Sequence, residues 1–203
     1  MNHQVDESLA AALAGASLTE RADLLLGYLA EHGQSFYDED VRQLEHGLQA
    51  ALLARNAGAS SEEVVAGLFH DIGHLMVDEH DATGDFLEED LCHETLGGDL
   101  LEPYFTAAVV DPIRLHVPAK RYLCTVDESY YNGLSESSKK SFAVQGGKMS
   151  DEEKAEMEKN PHLDKVLELR RRDDGAKVIG LETPTLGDFR DDVIAALEAK
   201  QAS

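Results

Sequence analysis

Apolar residues recur along this chain three and four positions apart, in segments separated by Gly, Pro, acidic and hydroxyl residues. In SLTERADLLLGYLAEHG, residues 17–33, Leu25 and Leu29 share a stripe, Ser17 and Glu20 form a capping box, and Gly33 suits the position past a helix end. A short connection, QSFYDED, leads into DVRQLEHGLQAALLARNAG, residues 40–58, where Leu44, Leu48, Ala51, Leu52 and Arg55 keep helical spacing up to Gly58. SSEEVVAGLFHDIGHLM, residues 60–76, opens on Ser60 or Ser61 and two acids, the chemistry of a helix N-terminus. Residues 77–90 are acidic and aperiodic and read as a loop or lid. LCHETLGGDLLEPYF, residues 91–105, reads as a helix interrupted by its Gly pair. Next, Pro112 suits a first helical turn, and Pro118 biases Val117 away from helical geometry, so a helix is predicted to end at His116. Ser150 starts a charged helix, HLDKVLELRRRD follows Pro161, and TLGDFRDDVIAALEAK is the last helix. The one strand expectation is a short hairpin near 176–182. The pattern predicts a single all-α domain over residues 1–203, a helical bundle with its core at about 17–175.

Composition narrows the function. A 203-residue chain with 42% hydrophobic residues can bury one good core. No apolar run approaches a membrane span. The start, MNHQVDESLAAALAGAS, lacks a basic region and reads as a frayed tail or short helix rather than a signal peptide. Cys92 and Cys124 are isolated thiols, expected as small buried hydrophobes in a reducing cytoplasm. A formal charge of −22 repels nucleic acid and anionic lipid. An anionic small substrate therefore needs a local basic pocket. Arg114, Lys120, Arg121, Lys165, Arg170, Arg171 and Arg172 are the clustered cations, most of them suited to helix-surface ion pairs.

GLFHDIGHLM, residues 67–76, sets His70, Asp71 and His74 inside an apolar segment. Such groups are costly to bury unless they are paired or bind metal. His70 and His74 lie one turn apart on one helix face. Of nine histidines, those at 46, 70, 93 and 116 fall 24, 23 and 23 residues apart, about one helix and a turn. Successive antiparallel helices would then bring one imidazole each to the bundle interior, which is how bundles build metal sites. His3, His32, His80 and His162 read as ordinary histidines. HETLG at 93–97 lacks the second His of a zinc-protease motif, no Ser or Cys stands in a nucleophile-elbow context, and QGGK at 145–148 reads as a turn.

His46, His70–Asp71 and a late Asp resemble the HD-domain superfamily, mostly metal-dependent phosphohydrolases. QLEHGLQAA, LFHDIGH, HVPAKRYL, LSESSKKSFAVQGGKM and LELRRRD resemble a narrower group within it. These are the HD-domain mixed-valent diiron oxygenases that cleave 1-hydroxy-2-aminoethylphosphonate-type substrates, with myo-inositol oxygenase a more distant relative. The likeness spans roughly residues 35–175. It implies two irons as cofactors and O2 as co-substrate. His46, His70, Asp71 and Asp173 would hold one iron, with Asp173 preferred to Asp174. Asp71 would bridge to a second iron held by His93 and His116. His74, Lys120, Ser138 and Arg170 would surround the phosphonate, His74 and Lys120 in catalytic roles. Glu39, with Phe36 and Tyr37, would face the substrate amine. That aromatic and acidic cluster suits a quaternary ammonium, so the expected substrate is (R)-1-hydroxy-2-(trimethylammonio)ethylphosphonate, giving glycine betaine and phosphate. The unmethylated amine, an HD phosphohydrolase and a non-catalytic binding domain are the alternatives; the six ligands and HVPAKRYL count against the last two.

Overall fold

Serine hydroxyls and glutamate carboxylates set where the helices begin. The computed structural model describes residues 7–38, 41–77 and 92–203, with residues 37 and 38 described by backbone alone. The acidic segment read as a lid, apart from Val77, and Glu39 lie outside those residues. In α2 (Leu18–His32), Ser17 Oγ accepts from the Glu20 amide while the Glu20 carboxylate accepts from the Ser17 amide at 2.8 Å. The same capping box opens α4 (Ser61–Phe69) at Ser60 and α10 (Asp151–Met157) at Ser150. Each such cap contributes about 1 kcal/mol.

The N-terminal segment does form a helix, α1 (Ser8–Gly15), which buries Leu9 and Leu13 against α2. The link before α3 (Gln43–Asn56) is a small antiparallel hairpin, β1 (Phe36–Asp38) with β2 (Val41–Arg42), where a plain connection was expected. The expected helix over 60–76 breaks at His70 and Asp71 and resumes as α5 (Ile72–Met76). His70 Nδ1 donates to the Gly67 carbonyl at 2.9 Å, taking the acceptor that a continuing turn would have used. Asp71 then sits at φ −101° and ψ 12°, between helices.

Two punctuation signals were overridden by packing. The Gly pair lies inside α6 (His93–Leu101), and both prolines lie inside α7 (Ala107–Val126), so His116 is mid-helix. A Cβ on Gly98 would meet Arg114 Cγ at 2.2 Å, so this Gly is there for the closeness of α6 to α7. Each interior Pro costs about 3 kcal/mol of helix stability. That cost is offset because α7 is the central element: it packs on α4, α6 and the later α11 (Leu163–Gly175) and buries Val109, Val110, Ile113, Val117 and Leu123.

Short helices α8 (Glu128–Gly133) and α9 (Glu136–Val144) cover one end of α7, and α11 (Leu163–Gly175) runs beside it. Residues 176–182 form a turn at Gly180, not the expected hairpin. A 3-10 turn, Leu186–Phe189, leads to α12 (Arg190–Gln201), which closes over α2 and α4. Arg55 stacks on Phe189, 4.0 Å from its centroid, and bonds Asp192 at 2.6 Å, tying this last helix to α3. The fold is all-α apart from the hairpin, and among the described residues no helix is long and apolar enough to cross a membrane. Neither cysteine is in a disulfide; Cys124 is buried as expected, but Cys92 is exposed at φ 53° just before α6.

Candidate metal centre and active site

Glycines let the histidine-bearing helices approach one another. A Cβ on Gly47 would lie 2.8 Å from the Leu68 carbonyl, and one on Gly67 would lie 3.1 Å from the Ala50 carbonyl, so α3 and α4 meet backbone to backbone. At Gly73 a Cβ would come within 2.0 Å of the His93 carbonyl, so α5 and α6 are closer still. These contacts deliver His46 from α3, His70 and Asp71 from the α4–α5 break, His93 from α6 and His116 from α7 to one buried centre, with Asp173 arriving from α11.

The centre has two sides, divided by Asp71. Its Oδ2 faces His46 Nε2 at 3.5 Å and His70 Nε2 at 3.4 Å. Asp173 Oδ1 completes that side, 3.2 Å from His46 Nε2. Asp71 Oδ1 faces the other side, 3.4 Å from both His93 Nε2 and His116 Nε2. Asp173, and not Asp174, joins the imidazoles; Asp174 instead bonds Arg170 and Tyr130.

Hydrogen bonds fix the rings. Nδ1 of His46 donates to the Ala176 carbonyl at 2.9 Å, and Nδ1 of His116 donates to the Ile113 carbonyl at 2.7 Å, as His70 does to Gly67. A carbonyl can only accept, so in each neutral ring Nε2 carries the lone pair. Those of His46 and His70 converge, their Nε2 atoms 3.0 Å apart, and the lone pair of His116 Nε2 faces His93 Nε2 at 3.1 Å. Two lone pairs at that distance repel unless a cation lies between them. Donors each about 2.1 Å from one ion lie about 3.0 Å apart at a right angle, so the residues fit a metal ion on either side. Asp71 Oδ2 and Asp173 Oδ1 are buried and accept no hydrogen bond, as unmetallated ligand atoms would. Neutral imidazole and carboxylate suit iron, and one carboxylate can serve two ions.

Electrostatics agree with ligand chemistry. Burial pushes the His70 imidazolium down to about 4, against the pull of Asp71 and Asp173. Burial, then His74, pushes His93 down to about 3. Both rings are neutral near pH 7, the ligating form. Burial works to raise the Asp71 carboxyl, but the surrounding histidines outweigh it and hold it well below the usual range. Arg170 does the same for Asp173, bonding its Oδ2 at 2.6 Å and leaving Oδ1 to the imidazoles.

His74 was assigned to the substrate. Its ring stacks on His93 with centroids 3.7 Å apart, and it offers a donor atom within 4.8 Å of those of Asp71 and His93. It is the one half-buried imidazole among the five. Beside the centre, Lys120 is buried, and its Nζ donates to Ser141 Oγ at 2.8 Å. Ser138 is buried on α9, its Oγ accepting from Ser135 Oγ at 3.0 Å. Arg170 is buried but committed to Asp173, Asp174 and the Tyr130 hydroxyl at 3.1 Å. Arg114, Arg121, Arg171 and Arg172 form the expected surface ion pairs. Phe36 is 60% exposed with the Arg42 guanidinium over its face, 5.8 Å from the centroid, so it is not gathered with the buried residues.

Sequence reading missed four residues of this neighbourhood. Gln49, one turn beyond His46, bonds both backbone groups of Val178, and its buried polar side chain on an apolar helix face was the available signal. Glu94 is buried and Tyr130 half-buried near the centre, Glu94 Oε2 being 3.6 Å from His93 Nδ1, and neither carries a local pattern. Lys177 reaches Ser138 from the segment misread as a hairpin.

No protein-family model matches the chain. It is 50% identical to the hydroxymethylphosphonate dioxygenase of Gimesia maris over 199 residues, covering 98% of this chain and 99% of that one. It is 40% identical over 156 residues to the [1-hydroxy-2-(trimethylamino)ethyl]phosphonate dioxygenase (glycine-betaine-forming) of Leisingera caerulea, covering 77% and 79%. An uncharacterized protein of Acanthamoeba polyphaga mimivirus is 35% identical over 166 residues, covering 81% and 76%. Identity of that level across nearly the whole length, with a buried His and Asp cluster able to hold metal, makes the chain a member of the phosphonate dioxygenase family.

Proposed function

We propose that this chain cleaves the carbon–phosphorus bond of a 1-hydroxyalkylphosphonate with O2, at a diiron centre of HD-domain type, and that hydroxymethylphosphonate is the substrate. The observation that carries the reading is the two-sided use of Asp71, each oxygen turned to its own set of imidazoles. A single hydrolytic metal needs only one such set. The small substrate is favoured by the full-length relative named for it. Phe36 agrees: its exposed ring is already faced by Arg42 and offers no cage to a quaternary ammonium. The trimethylammonio substrate is the second reading, favoured by the relative named for it.

When bound, the irons supply the redox chemistry that passes four electrons from the substrate to O2. The dianionic substrate and O2 then become formate, hydrogen phosphate and one proton, each product gaining one oxygen atom. The chain's residues hold and orient. Asp71, with one oxygen turned to each set of imidazoles, would serve both metals, and Arg170 orients Asp173 toward the first set. Lys120 supplies a buried ammonium to the phosphonate, where charge-assisted hydrogen bonds are strong. Ser138 offers a hydroxyl beside it. His74, the most accessible imidazole of the centre, handles the proton of the substrate hydroxyl at its ring nitrogen.

The test is phosphate release by the iron-loaded protein from hydroxymethylphosphonate, 2-amino-1-hydroxyethylphosphonate and the trimethylammonio compound, each with and without O2. Release that requires O2 and is fastest with hydroxymethylphosphonate is expected. Release without O2 would point to hydrolysis and overturn the oxygenase reading.

A further inference from the structure

Arg170, Asp173 and Asp174 stand at i, i+3 and i+4 of α11, so one guanidinium lies between two carboxylates. The two carboxylates are not held alike. Asp174 takes a forked edge of the guanidinium: Nη2 donates to its Oδ1, and Nε donates to its Oδ2 at 3.3 Å. Asp173 is met by Nη1, on Oδ2 at 2.6 Å. Tyr130 reaches the fork from α8. Its hydroxyl accepts from Arg170 Nε at 3.1 Å and donates to Asp174 Oδ2. Its ring packs on the apolar cluster of Cys124, Leu134 and Phe142, which gives that hydroxyl a fixed origin.

The division matters because of what Asp173 has to do with its other oxygen. Oδ1 is the atom turned to His46; it is buried and accepts no hydrogen bond. An arginine and a carboxylate left to themselves pair through two parallel bonds, which occupy both oxygens. Such a pair would take Oδ1 away from a metal. With Nε and Nη2 aligned on Asp174, the guanidinium is turned so that it meets Asp173 through one nitrogen. We infer that Asp174 and Tyr130 are positioning residues for the first metal: they hold the Arg170 fork and so keep Oδ1 of Asp173 open as a donor. This rests on the two-metal reading above. It gives Asp174, one residue beyond a ligand, a use other than ligation.

The test is anaerobic titration of chelator-treated protein with ferrous ion against a chromophoric chelator, so that metal binding is scored without turnover. His116→Ala confines binding to the first side, and His46→Ala confines it to the second. In the first background, Asp174→Asn and Tyr130→Phe are each expected to raise the Kd for iron about ten- to a hundred-fold, the usual effect of removing a partner behind a metal ligand. In the second background both change it by less than about threefold. Asp174→Asn keeps the side-chain shape, and Tyr130→Phe keeps the ring in its apolar cluster. Tyr131→Phe, beside the same cluster, leaves both sides unchanged. Where a background variant does not fold, the pair is read in the wild-type chain, as weakening of one equivalent of iron and not of two. Equal weakening of both sides would assign the two residues a merely structural role and overturn the inference. An unchanged first side in either variant would overturn it alone. Wild-type protein that binds no iron would overturn the two-metal reading and this inference with it.

Discussion

Gly73→Ala tests how the second half of the centre is built. The new Cβ would sit 2.0 Å from the His93 carbonyl oxygen and 2.7 Å from its carbon, both backbone atoms that cannot rotate aside. Opening that contact from 2.0 to 3.0 Å moves α5 and α6 apart by about 1 Å. The His93 ring travels with its backbone, so its 3.1 Å and 3.4 Å spacings to His116 and Asp71 lengthen by a similar amount. Metal–ligand bonds tolerate only about 0.2 Å. Overpacking of this kind costs about 1–3 kcal/mol, and a backbone clash belongs at the upper end. For a domain of this size that is a fall of about 6–12 °C in Tm. The variant should bind about half the iron of the wild type, the first side surviving and the second lost. Gly27→Ala is the companion: it lies inside α2 with nothing within 4 Å of the new Cβ, so it should raise stability by about 1 kcal/mol. Calorimetry and metal analysis of the two variants decide. A Gly73→Ala protein with wild-type Tm and full iron would refute the close helix approach as the basis of the second side.

Three further outcomes follow from the same geometry. Burial, then repulsion from Arg170 and Lys177, lowers the Lys120 ammonium to about 8; its charge is present below that pH and lost above it, so kcat/KM should fall about tenfold per unit above pH 8. Lys120→Arg, which keeps its charge at any such pH, should abolish that falling limb, and an unchanged limb would assign it to another group. Arg170→Met leaves the buried Asp173 and the half-buried Asp174 without their cation and should cost about 3–5 kcal/mol in urea denaturation; a loss below about 1 kcal/mol would refute the pairing as a stabilising element. Iron added to chelator-treated protein at a hundred times Kd should stabilise it by about 2.7 kcal/mol per site, visible as a rise in Tm, and His46→Ala should lose only the contribution of the first side; a flat response in the wild type would exclude metal binding.

Capping chemistry and the even spacing of His46, His70, His93 and His116 were legible in the sequence because both are local or periodic. Ser17 and Ser150 cap helices as expected, and of the two candidates Ser60 and Ser61 it is Ser60 that caps. Local rules failed where packing outweighed them. Pro112 and Pro118 sit within α7 because that helix is enclosed by α4, α6 and α11. Gly98 reads as a breaker in isolation, yet the Arg114 stem fills the space where its Cβ would be. The break at His70 and Asp71 was hidden inside an apolar run, since it depends on an imidazole taking a backbone acceptor. The partners of Lys177 and Gln49 were hidden for a different reason: they lie 39 and 129 positions away in sequence, and no period links such distances.

The order of the ligands along the chain has a bearing on how the centre comes together during synthesis. The donors of the second side, Asp71, His93 and His116, are all made by residue 116, whereas the first side waits for Asp173 on α11. An ion on the second side would thus be caged while residues 117–203 are still unmade. An ion joining His46 to Asp173 would act late, as a cross-link closing a loop of 173 − 46 = 127 residues. Closing a loop of that length removes about 4.9 kcal/mol of chain entropy from the unfolded state in the simple cross-link picture, so an ion held there would double as a fastener of the finished fold.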